Sequence, residues 1–288
     1  MPQTNAPPHP APFLAVRFEA EDLTPKLTAW CADFELGNWR DEGLAKHMLH
    51  WLPEFALKYE EWRDMSAHNA VELLGHAART VYTSPKYQGR GEFGELLLHA
   101  MIRQRFASIP AISKYYYKDS ANDTVKGFDA VHVVGAPPEW ELWLGEVKFY
   151  AEIGSAIRDV IVEIAAHSKR DYLRSEFGAI TRKLDDSWPH AAELRQLLHA
   201  NTSLDSVFAR VCIPVLLTYD SPIVGGSTTA NADYVERFTA EVLAHHSTFA
   251  TKLGQPPLSV RLFLFPLKEK RRLVELLDEA LKRCQLAL

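Results

Sequence analysis

The sequence is poor in cysteine, with three residues in 288 and no closely spaced pair. Cys31, Cys212 and Cys284 lack the CxxC spacing of a structural zinc site and are too few for a disulfide framework. No run approaches the ~18 apolar residues that a membrane-spanning helix needs. We therefore expect a reducing, cytoplasmic setting and no membrane partner.

Positive charge is not in excess either, since the net charge is −5 and the pI is near 6.2. Proteins that bind nucleic acid on their own usually carry a surplus of Lys and Arg. If the substrate is DNA, its contacts come from a local basic patch or from a partner. The candidate basic residues, each of which could equally be solvated surface, are Lys114, Lys118, Lys126, Arg158, Lys268, Lys270, Arg271 and Arg272.

Three parts are distinguished along the chain. Residues 1–12 are Pro-rich and lack the basic and apolar regions of a signal peptide, which indicates a flexible tail. Residues 13–81 are predicted to be mostly helical, with a short strand before Ala20 and a helix from Thr24, where Leu27, Trp30 and Phe34 recur at helical spacing. A polar loop at 82–90 marks the start of the third part, residues 82–288.

The third part has the order of an α/β domain. A helix over Gly91–Phe106 is apolar around most of its circumference, as a buried helix is. The later predicted elements are strands at Ile112–Lys118, Gly127–Val134 and Glu141–Tyr150, a helix through Ile153–Ile164, strands at Val211–Tyr219 and Val260–Phe265, and a helix at Leu267–Cys284. This order predicts a mixed sheet flanked by helices.

The most informative segment is Gly127–Tyr150, GFDAVHVVGAPPEWELWLGEVKFY. If its two strands form a hairpin closing at Pro137 and Pro138, Asp129 lies directly opposite Glu146. The same register pairs apolar residues further along, Val131 with Leu144 and Val133 with Leu142. The hydrophobic pattern favours this register, because a slip of one residue would bury the charges.

Two carboxylates on opposite strands repel each other unless a cation lies between them. Mg²⁺, or Mn²⁺ in its place, prefers such oxygen ligands. Lys148 shares the face of Glu146, and Gly127 across from it leaves space for substrate. A lysine at such a site can orient an attacking water or stabilise charge on a phosphate. The alternative is that Lys148 neutralises two surface acids as an ion pair.

The helix over Gly91–Phe106 carries one polar stripe, formed by Glu92, Glu95, His99 and Arg103. Buried carboxylates need a partner, and the acidic end of the hairpin is the natural one. We therefore favour Glu95 as a catalytic, metal-binding residue and keep Glu92 in reserve. The alternatives are that Glu92 serves the helix dipole and that Glu95 pairs with Arg103 or another base. His167 and Tyr172, on the helix after the motif, are weaker candidates to line the site.

These residues together resemble the PD-(D/E)xK nuclease superfamily, which has a restriction-endonuclease-like fold. The matching motifs are Gly91-x-x-x-Glu95, Gly127-Phe128-Asp129 and Glu146-Val147-Lys148. Phe128 departs from the proline that usually precedes the aspartate, at a position that varies in the superfamily. The resemblance implies that Asp129 and Glu146 hold metal with the carbonyl of Val147, and that Lys148 is catalytic.

More narrowly, the segments RGEFGELLLH, ISKYYYKDSANDTVKGFDAVHVV and LWLGEVKFY are similar to the HamA family, the nuclease subunits of the Hachiman antiphage defence system. This resemblance covers roughly residues 85–175. It implies a metal-dependent deoxyribonuclease that acts as the effector of a defence complex. The partner that it implies is a superfamily 2 helicase, HamB.

Two other functions are kept open. The first is a catalytically inactive nuclease fold that serves as a DNA-docking or regulatory subunit of a helicase, although the intact triad speaks against it. The second is a nuclease that acts on RNA. Strand preference, endo or exo polarity, the number of metal ions and the oligomeric state do not follow from the sequence.

Overall fold

The computed structural model describes residues 9–81, 91–112, 127–135 and 139–286. In chain order its strands are β1 Ala15–Ala20, β2 Lys26–Cys31, β3 Phe34–Glu35, β4 Asn38–Trp39, β5 Ser108–Pro110, β6 Ala130–Val134, β7 Glu141–Phe149, β8 Val211–Asp220 and β9 Ser259–Leu267. Its helices are α1 Asp41–His50, α2 Leu52–Ala56, α3 Tyr59–Trp62, α4 Ala70–Val81, α5 Gly91–Arg105, α6 Ile153–His167, α7 Arg170–Lys183, α8 Ala191–Leu198, α9 Leu204–Phe208, α10 Pro222–Gly225, α11 Ala232–Leu253 and α12 Lys270–Gln285.

Seven of these strands form one mixed sheet in the order β1-β2-β9-β8-β7-β6-β5. The four central strands, β2, β9, β8 and β7, run parallel, whereas β1, β6 and β5 are antiparallel to their neighbours. Nearly every residue of β8 and β9 is buried, as expected for parallel strands covered on both faces. The predicted mixed α/β fold is confirmed. None of the helices in the described ranges is long and apolar enough to cross a membrane.

The helix predicted from Thr24 is wrong, because Lys26–Cys31 form strand β2. This strand pairs with β1 on one side and with β9 on the other, and Leu27, Ala29 and Trp30 are all fully buried. A strand covered on both faces shows no alternation of apolar and polar residues, so its buried positions can imitate helical spacing.

The predicted division at residue 82 implied a separate, mostly helical N-terminal unit, and the structure does not show one. Strands β1 and β2 of the N-terminal part extend the same sheet as the C-terminal strands, while α1 to α4 supply its helices. The predicted boundary loop at 82–90, the strand predicted at Ile112–Lys118 beyond its first residue, and the turn at Pro137 and Pro138 lie outside the described residues. The strand that precedes β6 is β5, which pairs antiparallel with it.

Helix α5 packs closely against one face of β7, at residues that have little or no side chain. A Cβ atom on Gly94 would lie 2.6 Å from Val147 Cγ1 and 2.7 Å from Phe149 Cβ. A Cβ atom on Gly145 would lie 2.6 Å from Leu98 Cδ2. The glycines on helix and strand thus bring α5 directly onto the face of β7 that carries Val147.

A buried polar cluster attaches the N-terminal helices to α5. Arg103 binds the carboxylate of Glu54 on α2, with Nη2 2.9 Å from Oε1, and His99 Nε2 lies 3.5 Å from Oε2 of the same group. The ring of His99 lies 5.1 Å from that of His132 on β6, and both histidines are almost fully buried. Burial lowers the pKa of His99, and it lowers that of His132 well below the ordinary 6.5.

Gly94→Ala is expected to lower the free energy of unfolding by about 1–2 kcal/mol, because the new methyl group overlaps Val147 and Phe149. The control is Gly154→Ala on α6, where nothing lies within 4 Å of the added Cβ. This control should be neutral or stabilising by about 0.5–1 kcal/mol. Urea denaturation of both variants measures the difference, and a Gly94→Ala protein as stable as wild type would contradict the close packing.

His132 should make the fold sensitive to acid. Because its pKa is lowered in the folded chain, the unfolded chain binds more protons below about pH 6.5, and stability is lost as the pH falls from there. His132→Leu removes this group. Between about pH 7.5 and pH 5, the free energy of unfolding of wild type should therefore fall by about 1–2 kcal/mol more than that of the variant. Urea denaturation of both proteins at the two pH values measures how much stability each loses. Parallel pH profiles would show that His132 is not buried in its neutral form.

Candidate metal and active site

The register predicted for the β6–β7 hairpin is confirmed. Val131 pairs with Leu144, and Val133 pairs with Leu142. The ladder ends at the pair Ala130–Gly145, so Asp129 lies one residue beyond it on the side of Glu146. The backbone N–H of Asp129 donates to the carbonyl of Gly145 at 2.8 Å, which continues the strand contact to this residue.

The carboxylate of Asp129 lies against the backbone of the neighbouring strand. Its Oδ2 accepts a hydrogen bond of 2.9 Å from the N–H of Val147, the residue between Glu146 and Lys148. In a strand, the N–H and the C=O of one residue point to the same neighbour. The carbonyl of Val147 therefore points to the side on which Asp129 lies, where the predicted metal ligands converge.

Glu146 is almost completely buried, at 1% exposure. Burial raises the pKa of Glu146 to about 7, and the nearby charges of Asp129 and Glu163 act in the same direction. A hydrogen bond between Glu146 Oε1 and His167 Nδ1 opposes that rise. The electrostatic effect of Asp129 on Glu146 is what two neighbouring carboxylates produce when no cation separates them.

Lys148 is also buried, and the ion pair that the structure gives it is with Glu163 on α6. Lys148 is therefore ion-paired, as in the alternative interpretation, but its partner is Glu163 rather than Asp129 or Glu146. Glu163 was missed by sequence reasoning. The available signal was its spacing of four residues from His167, which places both on one face of α6.

His167 does contact the site, as its position after the motif suggested. Its ring stacks on that of Tyr172 with centroids 4.2 Å apart, and the ring of Phe128 approaches it edge-on at 5.3 Å. Partial burial alone would lower the pKa of His167, but the hydrogen bond to Glu146 and the charges of Glu146, Glu163 and Asp129 raise it. Phe128 directly precedes Asp129 in the chain, so its ring connects the start of β6 to His167 and Tyr172.

Glu95 is buried on α5, as the sequence indicated. Its neighbours Gly94 and Leu98 pack on the face of β7 that carries Gly145 and Val147, whereas Glu146 and Lys148 point to the other face, towards α6. The rest of the polar stripe does not turn to the acidic end of the hairpin, because His99 and Arg103 pair with Glu54.

The side chains present fit a hard divalent cation bound by few protein ligands. Within the described ranges, no group of three or more His, Cys, Asp or Glu side chains is arranged to hold a metal ion, so Glu95 does not complete a ligand cluster with Asp129 and Glu146. Mg²⁺ is commonly bound through one or two carboxylates together with waters and substrate phosphate. The oxygens of Asp129, Glu146 and the Val147 carbonyl would be the ligands of such an ion.

The space expected beside Gly127 is occupied by an acidic side chain. Gly127 has φ of +147°, and a Cβ atom there would lie 2.5 Å from Glu176 Oε2 on α7. A cleft next to the site is lined by Phe128, Asp129 and His132 on one side and by Glu176 and Ile180 on the other. This cleft therefore lies between β6 and α7, next to Asp129.

One of the predicted basic clusters lies at the end of β7. Lys270 Nζ is 5.1 Å from the centre of the ring of Phe149, the residue that follows Lys148. Lys268, Arg271 and Arg272 flank Lys270 at the start of α12. Arg158, on α6, is exposed and pairs with its neighbour Asp159. Lys114, Lys118 and Lys126 lie outside the described residues.

Comparison with known proteins gives a consistent picture. Over 261 residues the chain is 24% identical to the Escherichia coli (strain K12) protein named anti-bacteriophage protein A. That alignment covers 86% of this chain and 46% of the relative, so the chain spans about half the length of the curated protein that it matches. The family model described as HamA matches residues 12–281, which is most of the sequence. The chain belongs to the HamA family.

Proposed function

We propose that this chain is a metal-dependent deoxyribonuclease that acts as the effector of an antiphage defence complex. The observation that supports the proposal is that Asp129 bonds to the backbone N–H of Val147, the residue between Glu146 and Lys148, at one end of the β6–β7 hairpin, with both of these residues of β7 buried. Membership of the HamA family, and the printed name of the Escherichia coli relative, support the defence role.

The chemical roles follow from the positions of the side chains. Asp129, Glu146 and the carbonyl of Val147 would hold Mg²⁺, or Mn²⁺ in its place. The bound ion supplies Lewis-acid chemistry, which makes water a better nucleophile and stabilises negative charge on the phosphate oxygens. Lys148 presents an ammonium group on the same face as Glu146, where it orients the attacking water or the scissile phosphate.

The proposed partner is a helicase of superfamily 2, HamB-like, which delivers the DNA strand. This part rests on the resemblance of the motifs and on the net charge of −5, which gives the isolated chain little general attraction for DNA. A nuclease with weak affinity of its own would spare the host genome until a partner brings the substrate to it. The basic residues beside Phe149 would then contact the delivered backbone.

The second candidate is an inactive nuclease fold that docks DNA for a helicase. Such a subunit would bind DNA, and no cleavage sensitive to a chelator would accompany the binding. A nuclease acting on RNA would retain the same site but prefer the other nucleic acid. Assays with plasmid DNA and with a structured RNA, each with and without EDTA, separate these functions from the proposed one.

The first test uses two triad variants. Glu146→Ala and Lys148→Ala should each fold and should lower the rate of plasmid nicking in Mg²⁺ at least a hundredfold or so, because each removes a charge required at the phosphate. EDTA should abolish nicking by wild type. The matched control is Lys26→Ala, which removes an ion-paired lysine from β2 of the same sheet, away from the hairpin. Nicking at the wild-type rate by both triad variants would end this assignment.

A second test concerns delivery by the partner. The isolated chain should bind a DNA duplex with a Kd of about 10⁻⁶ M or weaker at physiological salt, in the range of non-specific electrostatic binding. A fluorescence-anisotropy titration measures this affinity, and repeating it at several salt concentrations gives the number of phosphate contacts. Nanomolar binding by the chain alone would contradict the proposed need for a delivering helicase.

A further inference from the structure

Helix α6 presents two charged side chains to two charged residues of β7, at matching intervals. Glu163 and His167 are four residues apart, which is about 6 Å along a helix. Glu146 and Lys148 are two residues apart, which is about 6.6 Å along a strand. His167 bonds to Glu146 and Glu163 bonds to Lys148, so each pair joins an acidic to a basic group.

The residues on the strand are more enclosed than their partners on the helix. The side chains of Glu146 and Lys148 are 2% and 10% exposed, whereas those of His167 and Glu163 are 16% and 40% exposed. A buried charged group needs a partner of opposite charge. Helix α6 supplies these partners with His167 and Glu163, whose side chains are more exposed. Each partner uses only part of the bonding capacity of the strand residue, because a carboxylate has two oxygens and an ammonium has three donors.

We propose that His167 and Glu163 are positioning residues of this site: His167 orients Glu146 for metal binding, and Glu163 orients the ammonium of Lys148 towards the substrate phosphate. The role of Glu163 rests on the proposed nuclease function, whereas the role of His167 can be tested by metal binding alone. Removing a residue that holds a metal ligand in place typically changes metal affinity or activity by 10–100-fold.

The ring of His167 is itself held in place, which suits a group that sets the orientation of another. Tyr172 stacks on it with an angle of 11° between the planes, and Phe128 packs edge-on against it. Lys148, by contrast, has a long and flexible stem, so without a partner its ammonium would sample many positions. The contact with Glu163 restricts those positions while Lys148 remains on the face of the site.

The test of His167 is metal binding without nucleic acid. Calorimetric titration with Mn²⁺ and with Mg²⁺ should show affinity about 10–100-fold weaker in His167→Ala than in wild type. His167→Asn should restore most of the affinity, because its amide nitrogen can take the place of ring Nδ1. If the alanine variant fails to fold, His167→Leu, which keeps volume against Tyr172 but has no donor, is compared with His167→Asn instead. Equal affinities in the donor and non-donor variants would overturn the role of His167.

The test of Glu163 separates turnover from binding. Glu163→Ala should leave the metal affinity unchanged and the KM for plasmid DNA nearly unchanged, while kcat falls about ten- to a hundredfold. Glu163→Gln keeps an acceptor for Lys148 and should retain more activity than the alanine variant. The control is Val162→Ala, which alters the exposed side of the same helix and should behave as wild type. A kcat in Glu163→Ala equal to that of wild type would overturn the role of Glu163.

These two experiments distinguish failure of this inference from failure of the proposed function. If wild type binds metal through Asp129 and Glu146 but cuts neither DNA nor RNA, the nuclease proposal and the role of Glu163 fail, and the calorimetry still decides the role of His167. If wild type cuts DNA and both positioning variants match it in metal affinity and kcat, only the inference fails. Absence of metal binding by wild type would overturn both.

Discussion

A buried carboxylate at the end of the β6–β7 hairpin, Glu146, is the constraint on which the arrangement of this part of the molecule depends. Glu146 is buried, so water cannot screen it from Asp129. The neighbouring structure compensates in two ways. The backbone N–H of Val147 bonds to Asp129, and His167 bonds to Glu146. Both contacts depend on the hairpin register, because a shift of one residue would turn Glu146 to the opposite face.

Strand β7 is held from both faces, and the two faces have different chemistry. On one face α5 reaches the backbone through Gly94 and Gly145, so the packing is close and apolar. On the other face α6 contacts β7 through charged pairs, and Glu163 is partly open to solvent. The apolar face fixes where the strand lies, because close packing tolerates little displacement. The charged face can then hold the side chains of Glu146 and Lys148 in defined orientations.

The register of the hairpin could be predicted from the sequence, because a predicted turn at Pro137 and Pro138 sets the pairing and the apolar pairs of Val131 and Val133 support it. For strand β2 the spacing of apolar residues was misleading, since the strand is buried on both faces and carries no alternation. Spacing describes one element at a time, and it does not distinguish a short strand buried on both faces from a helix segment.

Partners on separate elements were harder to predict. The polar stripe on α5 indicated that a buried partner existed, but Glu54 lies on a helix that no local pattern connects to His99 and Arg103. Glu163 looked like an ordinary polar residue of an amphipathic helix. Its contact with Lys148 exists only because the parallel crossover from β7 to β8 lays α6 against the sheet. Such contacts depend on topology, which spacing along the chain does not contain.

The charges of the site bear on how a polyanion could enter it. Among the described residues at the hairpin end, Asp129, Glu146 and Glu163 are acidic, and Glu146 and Glu163 are bonded to the basic groups His167 and Lys148. In the cleft beside Gly127, Glu176 adds a further carboxylate and Lys183 a positive charge. A phosphate would meet little net attraction there, as the whole chain at −5 offers little at long range. A divalent cation is the simplest way to reverse the sign of the field at the point of reaction, because a bound ion is the largest local charge in such a site. If the chain is the proposed nuclease, the same electrostatics would favour both a metal ion for its chemistry and a partner that delivers the strand.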